Sequence, residues 1–276
     1  MKPLVKLTLL IILMSCQEEV SLDLGNTEKI PVIEAVWTDD PVLNEVKVAY
    51  SRNYYDTLPN EIAANAEVYV EDLHSGETVP FIFNEDRGKY LPLNAKAAAI
   101  GHEYRLYVAM DGNEFISEGT TLEAPVLDSI IYAYEEERFF ASEGYYLTLY
   151  GKIPFTENNF YRLILSKNDT LLNRRSDYFL FDDTFGSAIL NNGFELTAFS
   201  FEAGDQVKLR MLRLNESAYS YLNQLVSLLF SDGGLFSPPP ENPRSNISSL
   251  QGEERVLGYF MTAPVITRTI SIPDEE

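Results

Sequence analysis

Short runs of Val, Ile, Tyr and Phe, separated at close intervals by turn-forming residues, fill this chain from residue 30 onward. Runs of this length with period-2 alternation predict β-strands. Good examples are residues 30–37, 45–50, 66–72 and 78–84, and His74-Ser75-Gly76 between the last two predicts a hairpin turn. Such spacing is typical of β-sandwiches, so the sequence predicts a mainly β protein.

The length of 276 residues is sufficient for about two domains. Ala124-Pro125 interrupts the strand pattern, and we place a boundary there. We predict an immunoglobulin-like or fibronectin-like β-sandwich over residues 30–124. A second β-rich domain with one α-helix is predicted over residues 125–276.

One strand of the first half has a specific signature. Tyr104, Leu106 and Val108 alternate on one face, which predicts that Tyr104 is buried. Gly101 followed by Tyr104 is similar to the tyrosine corner of immunoglobulin-like sandwiches. We therefore expect the Tyr104 hydroxyl to bond to nearby backbone.

The helix is predicted near residues 216–230. Asn215 is a suitable N-cap, and an apolar stripe follows at helical spacing. The stripe consists of Ala218, Leu222, Leu225 and Leu229. Gly233-Gly234 then ends the helix.

Leu235 and Phe236 follow these glycines and precede Pro238-Pro239-Pro240. Prolines exclude this stretch from a helix or a central strand, so two large apolar side chains lie in a stiff loop. We predict that Leu235 and Phe236 contact a partner. The alternative is that both fold back and seal the core.

The first residues have the layout of a signal peptide, with Lys2 and Lys6 before and beside an apolar run. The run ends in Leu13-Met14-Ser15-Cys16, which resembles a lipobox. Residues 1–15 are then the lipoprotein signal peptide, Cys16 carries the acyl chains, and residues 16–29 form a tether. The run is too short to span a bilayer. The remaining alternative is an ordinary secretory leader with a chance cysteine.

Gln17, Glu18 and Glu19 directly follow the cysteine. Acidic residues at this place are similar to the signals that export lipoproteins to the cell surface in Bacteroidota. We therefore predict a lipid-anchored protein of the outer membrane that is exposed on the cell surface.

The formal net charge of −21 makes nucleic acid and anionic lipid head groups poor partners. Catalytic constellations are also scarce, because the chain has two histidines, His74 and His102, and its one cysteine is assigned to the lipid. Asp182-Asp183 is the obvious acidic candidate, but neighbours on a strand point to opposite faces. We predict no enzyme activity, no catalytic residues, no metal site and no cofactor.

The sequence SNISSLQGEERVLGYFMTAPV at residues 245–265 resembles the C-terminal signature of the DUF4249 family of Bacteroidota lipoproteins. The lipobox, the strand beginning Gly101-His102-Glu103-Tyr104 and the segment FDDTFG at residues 181–186 are similar to further motifs of that family. The resemblance implies an accessory lipoprotein beside a TonB-dependent outer-membrane transporter. A stand-alone carbohydrate- or peptide-binding module is the alternative, and a degradative surface hydrolase comes third.

Overall fold

The computed structural model describes residues 28–53, 56, 58–136, 142–156, 158–184, 186–231, 241–252 and 254–274. These residues form three β-sheets and one α-helix, which confirms the predicted mainly β fold with a single helix. The strands are β1 Pro31–Thr38, β2 Glu45–Tyr50, β3 Glu67–Asp72, β4 Thr78–Asn84, β5 Lys89–Pro92, β6 Glu103–Met110, β7 Asn113–Thr120, β8 Val126–Glu135, β9 Gly144–Lys152, β10 Phe160–Lys167, β11 Thr170–Leu171, β12 Phe179–Asp182, β13 Phe194–Glu195, β14 Gln206–Leu214, β15 Ser248–Ser249, β16 Leu257–Ala263 and β17 Val265–Ser271. Helix α1 is Glu216–Phe230, and short 3-10 turns lie at Pro41–Leu43, Arg175–Asp177 and Ser187–Ile189.

The largest sheet has nine strands in the order β15-β7-β6-β3-β4-β5-β2-β1-β16. In a flat sheet β1 and β6 would lie about 24 Å apart, since neighbouring strands are about 4.8 Å apart. Trp37 of β1 nevertheless meets Tyr104 of β6 with ring centroids 5.6 Å apart. The sheet therefore curls around one core, and the two facing layers expected of a sandwich arise within a single hydrogen-bonded path.

Tyr104 lies in this core with 3% of its surface exposed, as predicted. Its hydroxyl accepts a hydrogen bond of 2.7 Å from the backbone N–H of Ala99, five residues upstream. Gly101, between the two, has φ +82°, which favours glycine. The predicted tyrosine corner is thus confirmed.

Strand β16 comes from the C-terminal part of the chain and pairs in parallel with β1. All six residues from Gly258 to Ala263 are buried. Phe260 packs in the core of the curled sheet, while Tyr259 and Met261 pack in a cluster with α1. Burial on both faces explains the uninterrupted apolar run. A Cβ on Gly258 would lie 1.8 Å from the Ile33 carbonyl oxygen, so a side chain there would collide with β1.

The outer edge of β16 is hydrogen-bonded by a side chain. The side-chain amide of Asn246 accepts a hydrogen bond from the Phe260 N–H at 2.8 Å and donates one to the Phe260 carbonyl at 2.8 Å, as a neighbouring strand would. The backbone carbonyl of Asn246 accepts a hydrogen bond from the Ser117 hydroxyl of β7 at 2.7 Å. Asn246 therefore joins β7 to β16 near the two ends of the sheet and closes its curl.

Asn215 is at the N-cap of α1, as predicted, but its side chain makes no capping hydrogen bond. The Asn215 side-chain oxygen instead accepts from the Thr262 N–H of β16 at 3.3 Å. Our expectation that this side chain caps the helix is therefore wrong. The Asn215 side-chain oxygen bonds to the outer edge of β16 and not to the backbone N–H groups at the start of the helix.

The second part of the chain is a pair of sheets. One has the order β11-β10-β14-β17 with β12 beside β10, and the other has the order β13-β9-β8. They enclose a second core formed by residues such as Leu147, Tyr161 and Leu209. Only Pro264 separates β16 from β17, so the chain passes directly from the curled sheet into this second part.

Helix α1 covers the junction between the two parts. Ala218, Tyr221 and Leu222 are buried against β14 and β16. The last turn is different, since Leu229 and Phe230 are exposed. The predicted apolar stripe thus packs on the core from Ala218 to Leu225 but not at Leu229. In the last turn the Arg175 side chain packs over the Phe230 ring.

Asn246→Ala should lower the free energy of unfolding by about 2–3 kcal/mol, because the Phe260 N–H and C=O would lose their partners in a buried place. Urea unfolding of the purified chain measures this. Asn242→Ala, at an exposed asparagine of the same segment, is the control and should change stability little. Equal small effects of both changes would contradict the closing role of Asn246.

Candidate interaction surface

The β8–β9 hairpin extends beyond the second core and exposes apolar side chains. Leu127 at its start is buried, whereas Ile131 is 48% exposed, Tyr132 37% and Tyr134 50%. The Tyr132 and Tyr134 rings both meet Tyr145 of β9 edge to face, at centroid distances of 5.9 and 5.3 Å. A row of aromatic and aliphatic groups therefore lies at the surface along one strand, which is typical of contact sites.

Among the described strands, β8 lies at the edge of its sheet, with β9 as its neighbour. Tyr145 and Phe201 exchange backbone hydrogen bonds, and Leu147 accepts from Leu196, so these residues of β9 bond away from β8. Tyr132 is opposite Leu147 in the register. Because backbone groups alternate in direction along a strand, the N–H and C=O groups of Tyr132 and Ile130 point to the outer edge.

The side chains of the hairpin define two faces. Ile130 and Tyr132 lie on the face of Leu147 and Leu149, which are fully buried in the second core. Ile131 lies on the opposite face. Exposed carboxylates at Asp128, Glu136 and Glu143 flank the apolar row. The surface is thus apolar in the middle and acidic around it.

The two histidines lie together, which the sequence analysis did not predict. The rings of His74 and His102 lie 4.5 Å apart between centroids, and His102 Nδ1 is 2.8 Å from Asp72 Oδ2. The backbone N–H of His74 donates to the other Asp72 oxygen at 2.9 Å. Burial alone would raise the pKa of Asp72, but the hydrogen bonds from His102, His74 and Ser75 prevail and lower it to about 2.

Asp182 and Asp183 have separate surroundings. Asp182 accepts from the Tyr219 hydroxyl of α1 at 3.1 Å. Asp183 is 1% exposed and accepts from the backbone N–H and the side-chain amide of Asn159 at 2.7 and 2.6 Å. The side-chain oxygen of Asn159 accepts from Arg213. The two carboxylates therefore serve different contacts instead of sharing one reacting group.

The other predicted site residues lie outside the described residues. These are Cys16, Gln17, Glu18, Glu19, Leu235 and Phe236. Their roles stay predictions. Trp37 is 1% exposed and therefore belongs to the core of the curled sheet.

In the described part of the chain, no helix is long and apolar enough to cross a membrane. Three or more His, Cys, Asp or Glu side chains do not come together there in a way that could hold a metal ion.

These features define a mainly β protein of two joined parts with an exposed apolar hairpin. The family model described as "Domain of unknown function (DUF4249)" matches residues 17–269. The chain belongs to this family. A search of curated proteins gave no match.

The segment that resembles the family's C-terminal signature, residues 245–265, takes part in closing the curled sheet. Ser245 donates to the Gly258 carbonyl at 2.8 Å, Asn246 bonds to the Phe260 backbone, and Ile247 is buried in the core of the curled sheet. Gly258, Tyr259 and Phe260 are the β16 residues that need close approach to β1 and burial on two faces. These residues therefore contribute to the closure of the fold.

Asp183→Ala should lower the free energy of unfolding by about 3 kcal/mol, because it leaves two buried donors of Asn159 without an acceptor and removes a negative charge that favours the Arg213 cation. Asp182→Ala is the matched control and should cost less than about 1 kcal/mol, since Asp182 is partly exposed. Thermal and urea unfolding measure both. A larger effect at Asp182 would reverse the assignment.

Asp72 should contribute to stability in a pH-dependent way. A carboxylate with a lowered pKa stabilises the folded state above its unfolded pKa of about 4 and loses this contribution as the pH falls toward 2. Asp72→Asn should therefore cost on the order of 1–2 kcal/mol at pH 7, and the difference from the wild type should shrink below pH 4. Urea unfolding at pH 7, 4 and 2.5 tests this, with the exposed Asp86→Asn as control. A difference that is constant with pH would contradict it.

Proposed function

We propose that this protein is a non-enzymatic accessory lipoprotein of the bacterial outer membrane, anchored through Cys16, that works beside a TonB-dependent transporter. The observation that carries the proposal is the exposed apolar β8–β9 hairpin, because such a surface suits contact with another protein. The signal peptide and the lipobox resemblance support the anchor. Gln17, Glu18 and Glu19 then direct the protein to the cell surface.

The arrangement of the two parts fits this role. The described chain begins at Glu28, beside the start of β1, and the segment from Cys16 to Glu28 can span at most about 40 Å. The second part is attached at the other end of β1, where Thr38 pairs with Ala263. The curled sheet, about 26 Å long along β1, therefore separates the tether from the second part, which carries the hairpin.

The alternatives receive less support. A cleft of about 490 Å³ lies near the start of β1, but its described lining is mostly charged and polar. The charged residues are the cations Lys29, Arg52 and Arg255 and the acids Glu28 and Glu254. Ligand sites are usually lined by apolar and aromatic groups, so a carbohydrate- or peptide-binding module is the second candidate. The separate surroundings of Asp182 and Asp183 weigh against a glycosidase-type acid pair.

Purification of the tagged full chain from outer membranes in mild detergent should recover a TonB-dependent transporter, identified by mass spectrometry.

Cys16→Ser should leave the detergent phase and lose the transporter. Replacing Gln17, Glu18 and Glu19 by Ala should keep the lipid but reduce labelling of whole cells by an impermeant reagent. A Cys16→Ser variant that stays in carbonate-washed membranes would contradict the anchor. Wild-type protein that recovers glycans or peptides but no transporter would favour the binding module.

A further inference from the structure

Between Ser129 and Ala133, the described residues leave the outer edge of β8 without the features that usually protect a sheet edge. At the start of the strand the edge is occupied, because the Arg268 side chain donates to the Leu127 carbonyl at 3.2 Å. Strand edges present free N–H and C=O groups, and proteins block them with Lys, Pro, bulges or covering elements. The β17 edge carries Arg268 and two exposed threonines, Thr267 and Thr269. The corresponding stretch of β8 is Ile130, Ile131 and Tyr132, with neither a cation nor a proline.

The register shows how much of this edge is usable. The β8–β9 pairing shifts between Leu127 and Ser129, so the irregularity at Asp128 is confined to the start of the strand. From Ser129 to Ala133 the pairing is regular, a length of about 17 Å. The backbone groups of Ile130 and Tyr132 that face outward are spaced as the next strand of a sheet requires.

The charge around the edge favours one kind of occupant. The described residues of the hairpin carry four carboxylates, at Asp128, Glu135, Glu136 and Glu143, and one cation, Lys152. The whole chain has a net charge of −21. Antiparallel pairing of two copies through β8 would bring two such charges together. A partner segment with basic residues instead gains from the same field.

We propose that β8 accepts an extended segment of a partner protein as an additional strand, and that this segment alternates apolar and basic side chains. The segment hydrogen-bonds to the backbone of Ile130 and Tyr132, and its apolar side chains pack beside the Tyr132 ring, which contacts Tyr145 of β9 on the other side. That the segment belongs to a transporter rests on the proposed function. The proposal that β8 accepts an additional strand is independent of that function.

A synthetic ten-residue peptide that alternates Val and Tyr with Lys tests the edge directly. Its fluorescence anisotropy is followed against the full lipidated chain in detergent, beside a peptide with Glu in place of Lys. The Lys peptide should bind about tenfold or more tightly than the Glu peptide. Hydrogen exchange of the wild type should show slowed exchange at the Ile130 and Tyr132 amides when the Lys peptide is bound.

Two substitutions at one position separate backbone pairing from side-chain contact. Tyr132→Pro removes the outward N–H without removing a hydrogen bond to β9, and prolines are tolerated at sheet edges. Tyr132→Ala removes the ring but keeps the N–H. The proline variant should lose roughly fivefold to tenfold more peptide affinity than the alanine variant, the scale of one net hydrogen bond. Melting temperatures check that both fold.

Several outcomes would overturn the proposal. Equal losses in the two variants, or unchanged exchange at Ile130 and Tyr132, would exclude strand addition. Equal affinity for the two peptides would refute the charge preference. Protection of the same amides in a concentration-dependent dimer, without peptide, would make a second copy the occupant. If the peptide binds as expected but no transporter is recovered from membranes, the edge assignment holds and only the proposed function fails.

Discussion

Strand β16 is the element on which the rest of the structure depends, because it is buried on both faces and hydrogen-bonded on both edges. β1 supplies one edge, and the amides of Asn246 and Asn215 supply the other. Side-chain amides have a donor and an acceptor at the spacing of a peptide group, so they can satisfy a strand edge where a further strand would not fit. Without them the backbone groups of Phe260 and Thr262 would be buried and unpaired.

This closure also sets the relation between the two parts of the molecule. The chain leaves β16 through Pro264 and enters β17 at once, and α1 packs over both sheets. The second part is therefore attached through a buried strand and a helix, not through a free linker. The β8–β9 hairpin accordingly has a defined position relative to the start of β1.

The polar side chains inside the protein mostly serve the fold. Asp183, Asn159 and Arg213 form one network, and Asp72 with the two histidines forms another. Both orient turns or strand ends and supply hydrogen bonds to the carboxylates of Asp183 and Asp72. The surface of β8 differs in kind, since its side chains are apolar but exposed. We therefore place the proposed contact on the sheet edge and not at the carboxylates.

The sequence by itself determined the local elements. Alternating Val, Ile and Tyr located the early strands, Gly101 with Tyr104 located the corner, and helical spacing after Asn215 located α1. Each of these follows from neighbours within a few residues, where side-chain periodicity and glycine conformations act. The segment at residues 245–265 was also recognisable in the sequence, but its role in closing the curled sheet was not.

Tertiary structure alone decided which distant segments meet. Residues 257–263 pair with 32–38, the hairpin of His74 lies beside His102, and the Asn215 amide turns to β16 instead of the helix end. Tertiary structure also decided that β8 lies at an edge among the described strands. The sequence could not show this, because the same apolar alternation occurs in strands that have a neighbour on each edge. The physical reason is that the periodicity of apolar residues reflects which side chains are buried. The order of strands depends instead on hydrogen bonds between backbone groups, and these groups are the same in nearly every residue.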